Sequence, residues 1–365
     1  MTLQPQKISS KPDIRNLTRE ALVDFFESHG MRSFRADQAL RWIHANRAQS
    51  FAEMTDLAKD ARRLLEAYFT IALPQVRQKE TGADGTCKFL LGLDDGNTVE
   101  SVLIPEKDHY TLCISTQVGC AMGCAFCMTG KTGLARNLTR AEILGQVMVA
   151  QNAAENDMRL SNIVLMGMGE PLANFDNVTS ALSVITDSKY GLQFSTRRVT
   201  LSTAGLANRF DDLARRSRVR LAISLNAADN STRNRLMPIN KSIPIEDLID
   251  ACARYPLAPR DKITFEYILI RGVNDSQKDA YRLARLLRPV RAKINLIPFN
   301  PHPGAQFQRP ETDAIEAFQS VLLQKNYTAI IRWSKGTDIS AACGQLRGSQ
   351  ARKNADEKNK IAPRH

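Results

Sequence analysis

Cys120, Cys124 and Cys127 stand together as Cys-x-x-x-Cys-x-x-Cys, in the loop GCAMGCAFCMTG. Thiolates are soft metal ligands, and three on one short loop imply one shared ligand. The small residues of that loop let the backbone wrap a bulky inorganic group. Structural zinc ordinarily takes four protein ligands, often as two CxxC pairs, and the sequence offers no second pair and no CxxH partner. An iron–sulfur cluster with one iron left open suits three cysteines better.

Other residues able to do chemistry follow along the chain. Gly167 and Gly169, in GMGE, let the backbone approach a ligand, and Glu170 can pair with an ammonium group. Ser202, Ser224, Leu225, Asn226 and Asn300 bring hydroxyl, amide and backbone groups able to hold a ribose, a carboxylate or an adenine. Each alone could equally cap a helix or close a turn. Cys343, in GTDISAACGQL, is set among small residues and followed by Gly344, which suits an exposed, mobile thiol. Cys113 precedes the triplet by seven residues. For both thiols a buried, inert position stays open on the residues alone. Cys87 and Cys252 fall in no motif and read as structural.

These groups need elements to position them. Residues 1 to about 15 are polar and read as loose. Apolar residues at helical spacing in LTREALVDFFESHGMRSFRADQALRWIHA and FAEMTDLAKDARRLLEAYF then predict a small helical domain over 1–75. Asp-Gly pairs at 84–85 and 95–96 predict hairpins in a β linker over 76–106. From 107 to 346 the β-rich runs TLCIST, NIVLMGMG, RVTLSTAG, VRLAISLNA, ITFEYILIRG, KINLIPFN and YTAIIRWS alternate with helical segments, which predicts a parallel sheet. Thr139 with Glu142 forms a capping-box start, and 275–287 and 311–323 also read as helices. No GxGxxG follows the first strand, so within the α/β class a full or partial (β/α) barrel fits better than a doubly wound sheet. Active sites of such barrels lie at the C-terminal strand ends, where nearly all of these residues fall. The polar, basic stretch 347–365 reads as a disordered tail with at most a weak attraction to phosphate.

The 365 residues carry a formal charge of +12, which concentrates polyanions such as nucleic acid, although excess charge can also serve solubility alone. No run is apolar for long enough to span a bilayer, and MTLQPQKISSKPDI lacks the layout of a secretory signal, so a cytoplasmic, membrane-free protein is expected. Structural disulfides are then not expected among its seven cysteines. In the N-terminal helices Arg32, Arg35, Arg41 and Arg47 interleave with Phe34 and Trp42. The arginines suit phosphate contact, while the two aromatics read as core.

Placed after the first strand, with Phe126 before its last cysteine, CxxxCxxC resembles the signature of the radical S-adenosylmethionine (SAM) superfamily. Over 15–347 the chain also resembles the adenine-C2 methyltransferases of 23S ribosomal and transfer RNA, the RlmN group. The pieces that carry this are VESVLIP, GCAMGCAFCMTGKTGL, NIVLMGMGEPLAN, VTLSTAG, RNRLMPIN, INLIPFNP and GTDISAACGQL, in the expected order.

That resemblance implies a partial barrel of the radical SAM type, with a [4Fe-4S] cluster on Cys120, Cys124 and Cys127. It places SAM against Gly169, Glu170, Ser202, Ser224, Leu225, Asn226 and Asn300. It further implies that one SAM methylates Cys343, and that a second yields a deoxyadenosyl radical that takes hydrogen from the S-methyl group. The carbon then adds to C2 of adenine, and Cys113 frees the product by forming a transient disulfide with Cys343. Glu100 matches the family's proton acceptor, with Cys113 as a competing candidate. Ribosomal and transfer RNA are the implied partners, with a flavodoxin-type electron donor and a monomeric chain, and the adenine must leave its stack to react.

Against the family pattern, Lys335 stands where arginine commonly precedes GxDI, Asn226 where histidine is frequent, and Met128 where a smaller residue is usual. Two rival readings remain at this point: methylation at C8 of adenine by the related ribosome-modifying enzymes, and a non-catalytic RNA-binding protein whose metal only holds a loop.

Overall fold

The computed structural model describes residues 11–154, 158–302, 304–346 and 348. The start of the chain and the basic tail, both expected to be loose, lie largely outside these residues. Order begins earlier than the polar sequence suggested, because Ile14–Asn16 form a 3-10 turn with Ile14 and Arg15 buried.

Helices α1 (Arg19–Ser28), α2 (Phe34–Leu40) and α3 (Lys59–Tyr68) enclose a small core of Leu22, Phe26, Ile43, Met54 and Leu65. Trp42 is half-buried against this core. Phe34 is instead 45% exposed, with the Arg35 guanidinium 4.9 Å above its ring, which corrects its reading as core. Its place at the first turn of α2 turns the ring outward while Ala36, Ala39 and Leu40 face inward.

The strands are β1 (Gln75–Thr81), β2 (Cys87–Gly92), β3 (Thr98–Pro105), β4 (His109–Cys113), β5 (Gln117–Gly119), β6 (Leu134–Asn137), β7 (Arg159–Leu165), β8 (Val199–Thr203), β9 (Arg220–Ser224), β10 (Ile263–Leu269), β11 (Ala292–Pro298) and β12 (Thr328–Ile331). Ten of them form one sheet in the order β1-β2-β3-β4-β7-β8-β9-β10-β11-β12. From β4 to β12 every pairing is parallel, and the strands match the seven apolar runs. The two expected hairpins form β1 to β3, with Gly85 and Gly96 at positive φ in their turns. They extend the barrel sheet itself, because β3 pairs with β4.

Helix α4 (Met128–Thr132) lies in the loop between β5 and β6, and helices α5 (Arg140–Ala153), α6 (Phe175–Thr186), α7 (Phe210–Arg216), α8 (Asn230–Leu236), α9 (Ile245–Arg254), α10 (Gln277–Leu286) and α11 (Thr312–Gln324) supply the crossovers. The capping box of Thr139 and Glu142 starts α5, and Ser276 with Asp279 makes a second one on α10. Alternate strand residues such as Ile163, Leu201, Ile223, Phe265 and Ile294 are fully buried beneath the helices, and the residues between them face the barrel interior. Ends β1 and β12 do not pair, so the barrel is partial. The chain after β12 covers the gap. Lys88 Nζ donates to Ile339 O at 2.5 Å, Ala83 N to Asp338 Oδ2 at 2.8 Å, and Gly336 N to Asp84 Oδ2 at 2.8 Å.

Candidate active site

The cysteine loop leaves β5, whose pairing with β6 makes a two-stranded clasp around residues 120–133. Sequence reading missed this clasp, since strands so short carry no readable period. Gly119 closes it, at φ +78 and with no room for a Cβ beside Gly133 O. Cys120, Cys124 and Cys127 are each half-buried. Burial pushes the Cys120 thiol up to about 11 and raises Cys124 further, where the neighbouring Cys127 and Cys120 add to the effect. The iron of a cluster supplies the positive charge that makes such thiols ligands. Among the described residues no three His, Cys, Asp or Glu side chains converge on a single ion. A cluster carries its thiolates on separate irons and needs no such convergence. Soft donors and a small-residue cradle, where even a Cβ on Gly130 would come 3.0 Å from Cys124 N, fit that group.

Past β7, Gly167 and Gly169 pass so close to Ile114 and Gln117 that any Cβ would collide with them. Gly169 also has φ +101. Glu170 is buried, and its oxygens accept from Leu172 N at 2.9 Å and Ala204 N at 2.6 Å. Burial pushes its carboxyl up to about 7 despite these bonds. Its visible work is therefore to join the ends of β7 and β8. Ser202 and Ser224 lie at the ends of β8 and β9. Asn226 takes the left-handed φ of +57 and accepts from Ile268 N at 2.9 Å, so its amide is committed to holding β9 beside β10. Leu225 is fully buried and donates its N–H to Glu266 O.

The segment bearing Cys343 docks on the cysteine loop. Met128 N donates to Gly344 O at 2.8 Å, and Thr129 Oγ1 bonds to Leu346 O. Asn300 Nδ2 donates to Cys343 O at 3.3 Å. Cys343 has accessible surface, yet enough protein surrounds its sulfur to push the thiol up to about 11, through burial first and then the Glu266 and Cys127 charges. Cys113 is buried at the end of β4, where burial first and a charged Cys343 second raise its thiol far above the ordinary range.

Glu100 is buried on β3 and is no surface residue. Ser101 points its hydroxyl at Gln146 of α5, so Glu100 faces the interior. Val102 pairs with Cys113, which makes Glu100 and Cys113 diagonal neighbours on one face. Gly348 N donates to Glu100 Oε2 at 3.2 Å, and Lys88 Nζ lies 3.8 Å from Oε1. Cys252 is buried in α9 and Cys87 half-buried on β2, where it pairs with Leu103. Glu266 went unnoticed in the sequence. It is buried on the interior face of β10, accepts from Asn295 Nδ2 at 2.9 Å, and is pushed by burial up to about 7. Arg233, fully buried in α8, was likewise overlooked, although it stands in RNRLMPIN.

A partial β/α barrel with a three-cysteine loop after its first parallel strand defines a radical SAM enzyme. Residues 114–284 match the radical SAM superfamily, and 12–71 match the ribosomal RNA large subunit methyltransferase N-terminal domain. The chain is 58% identical to the dual-specificity RNA methyltransferase RlmN of Desulfosudis oleivorans, covering 92% of this chain and 90% of that one. It is 53% identical to the protein of the same name from Geobacter sulfurreducens, covering 92% of each. A crystal structure of a radical SAM methyltransferase from Sphaerobacter thermophilus superposes with a TM-score of 0.87 at 41% identity, over 93% of this chain and all of the other. This chain belongs to the RlmN family of dual-specificity RNA methyltransferases. Like the rest of that family, it uses a [4Fe-4S] cluster and SAM.

Proposed function

We propose that the chain methylates C2 of an adenine in 23S ribosomal RNA and in transfer RNA, through an S-methylated Cys343. The observation that supports this reading is the docking of the Cys343 segment on the cysteine loop, where Met128 N donates to Gly344 O. Cys120, Cys124 and Cys127 hold the cluster, and the ends of β7, β8 and β9 with Asn300 hold SAM. When bound, these groups supply an electron, a methyl group and a carbon radical.

The chain's own residues do the rest. Cys343 loses its proton, accepts the methyl group and carries that carbon to adenine C2, an electron-poor carbon that ordinary methyl transfer attacks poorly. Glu100 takes the proton that leaves C2. It lies on the face it shares with Cys113, whose thiol burial makes harder to ionise, so that Cys113 is left to act as the resolving thiol. The unpaired electron left on the adduct would return to the cluster. The Cys113 thiol gives up its proton as its sulfur bonds to that of Cys343, and the carbon–sulfur bond breaks with its electron pair going to the base-bound carbon. That carbon takes up a proton to become the methyl group, and cellular thiols then reduce the disulfide.

Residues 1–75 serve as the RNA-binding accessory domain, 76–106 as its link, 107–346 as the catalytic barrel and 347–365 as a basic tail. Exposed Arg32 and Arg41, with the Phe34 ring under Arg35, support that role for the helices. Among the described residues no helix is long and apolar enough to cross a membrane. A cytoplasmic monomer fed by a flavodoxin-type donor completes the reading. Mass spectrometry of Cys343 peptides, from wild type and from Cys113→Ala purified from cells, tests it. Methylated Cys343 in the wild type and RNA trapped covalently on the variant are expected. An unmodified Cys343 without an adduct, in protein with an intact cluster, overturns the two-SAM route.

A further inference from the structure

Arg233 has no accessible surface, and among the described residues no carboxylate faces it. Its guanidinium is committed to neutral oxygens. Nε donates to Leu225 O at 3.1 Å, Nη1 to Asn240 Oδ1 at 2.9 Å, and Nη2 to Ala204 O at 2.7 Å with Ser224 O at 3.5 Å. Three of these acceptors are the backbone ends of β8 and β9, next to Ser202 and Ser224. Ala204 in turn donates its N–H to Glu170, so the ends of β7, β8 and β9 form one hydrogen-bonded row that closes on Arg233.

The same helix also grips the cysteine loop. Ala125 N donates to Leu236 O at 2.9 Å, and Phe126 packs with Ala204, Leu236 and Met237 in one apolar cluster. A buried cation with only neutral partners is costly, and buried charges are as a rule paired. The groups whose charge acts on Arg233 are Cys124 and Cys252. Cys252 stays a neutral thiol, pushed up to about 12 by burial. Cys124 becomes an anion when it ligates iron.

We infer that Arg233 is the positioning residue of the cofactor site, clamping the ends of β8 and β9 to the cysteine loop through α8 and placing its positive charge on the Cys124 side of that loop. The inference rests on the reading of Cys120, Cys124 and Cys127 as cluster ligands. A fixed cation beside an anionic cluster favours the reduced, more negative state and so raises the reduction potential. The clamp also fixes the backbone against which SAM lies.

The test compares reconstituted wild type, Arg233→Lys and Arg233→Met by EPR-monitored potentiometric titration and by equilibrium binding of SAM. Arg233→Met is expected to have a more negative midpoint potential. Arg233→Lys keeps the charge and is expected to stay near the wild-type potential. Both lose the planar fork and are expected to bind SAM about tenfold more weakly, as the loss of one charge-assisted hydrogen bond implies. Arg233→Met with full iron content, wild-type potential and wild-type SAM affinity overturns the inference. If that variant does not fold, wild-type SAM affinity in Arg233→Lys overturns it. A wild-type protein that assembles no cluster overturns the cysteine reading beneath it, which separates the two failures.

Discussion

Glu266 shows how a single side chain is governed by where the sheet puts it. Its register partners on β9 and β11 are Ser224 and Asn295, all on the interior face. Burial lifts its carboxyl from 4.5 to about 7, so the folded value lies above the unfolded one. The stability contributed by this group is therefore full below about 4.5 and is lost as pH rises through about 7. Glu266→Gln cannot ionise. Urea melts of the apoprotein are expected to favour the variant increasingly between about pH 5 and about pH 8, by up to ~3 kcal/mol. A difference that does not change with pH would remove Glu266 from this role. Nothing in the sequence announced the residue, because a glutamate in ITFEYILI looks like the solvent-facing member of an alternating strand.

At the scale of elements, caps and glycines do separable work. Thr139 caps α5 through a reciprocal pair of bonds with Glu142, on the outside of the sheet. Thr139→Ala is expected to cost about 1 kcal/mol of stability and to leave SAM affinity unchanged. Gly169 differs, since a Cβ there would lie 2.6 Å from that of Gln117, on a backbone that also has positive φ. Gly169→Ala is expected to cost about 1–3 kcal/mol and to weaken SAM binding as well, measured by urea melts and calorimetric titration. Equal effects of the two substitutions on SAM affinity would argue that the β7 end does not touch the cofactor. Both elements were legible beforehand, one from its capping box and one from GMGE. The clasp of β5 and β6 was not.

For the molecule as a whole, the excess positive charge sets how RNA approaches. Arg32, in the loop before α2, and Arg41, directly after α2, are exposed. Replacing each by alanine is expected to weaken RNA binding uniformly across sequences and to reduce the salt slope by about one for each phosphate that is no longer neutralised. A filter-binding salt titration checks this, and an unchanged slope would move the RNA surface elsewhere. The closing segment after β12 is the other molecular-scale device. It spans from the last strand back to the β1–β2 and β2–β3 hairpins and so brings Cys343, distant in sequence, over the cysteine loop.

Sequence by itself determined the class of chemistry, because ligand type, spacing and glycine placement are local properties that one short segment can carry. It also determined the parallel strands and most of their helices, whose apolar periods are local too. What only the tertiary structure decided is which groups meet. The burial of Glu100 and Glu266, the spending of Asn226 and Glu170 on strand ends, and the lone cation of Arg233 between two strands and the cysteine loop all depend on register across strands far apart in the chain. Burial and pairing are set by neighbours in space, and no single segment contains that information.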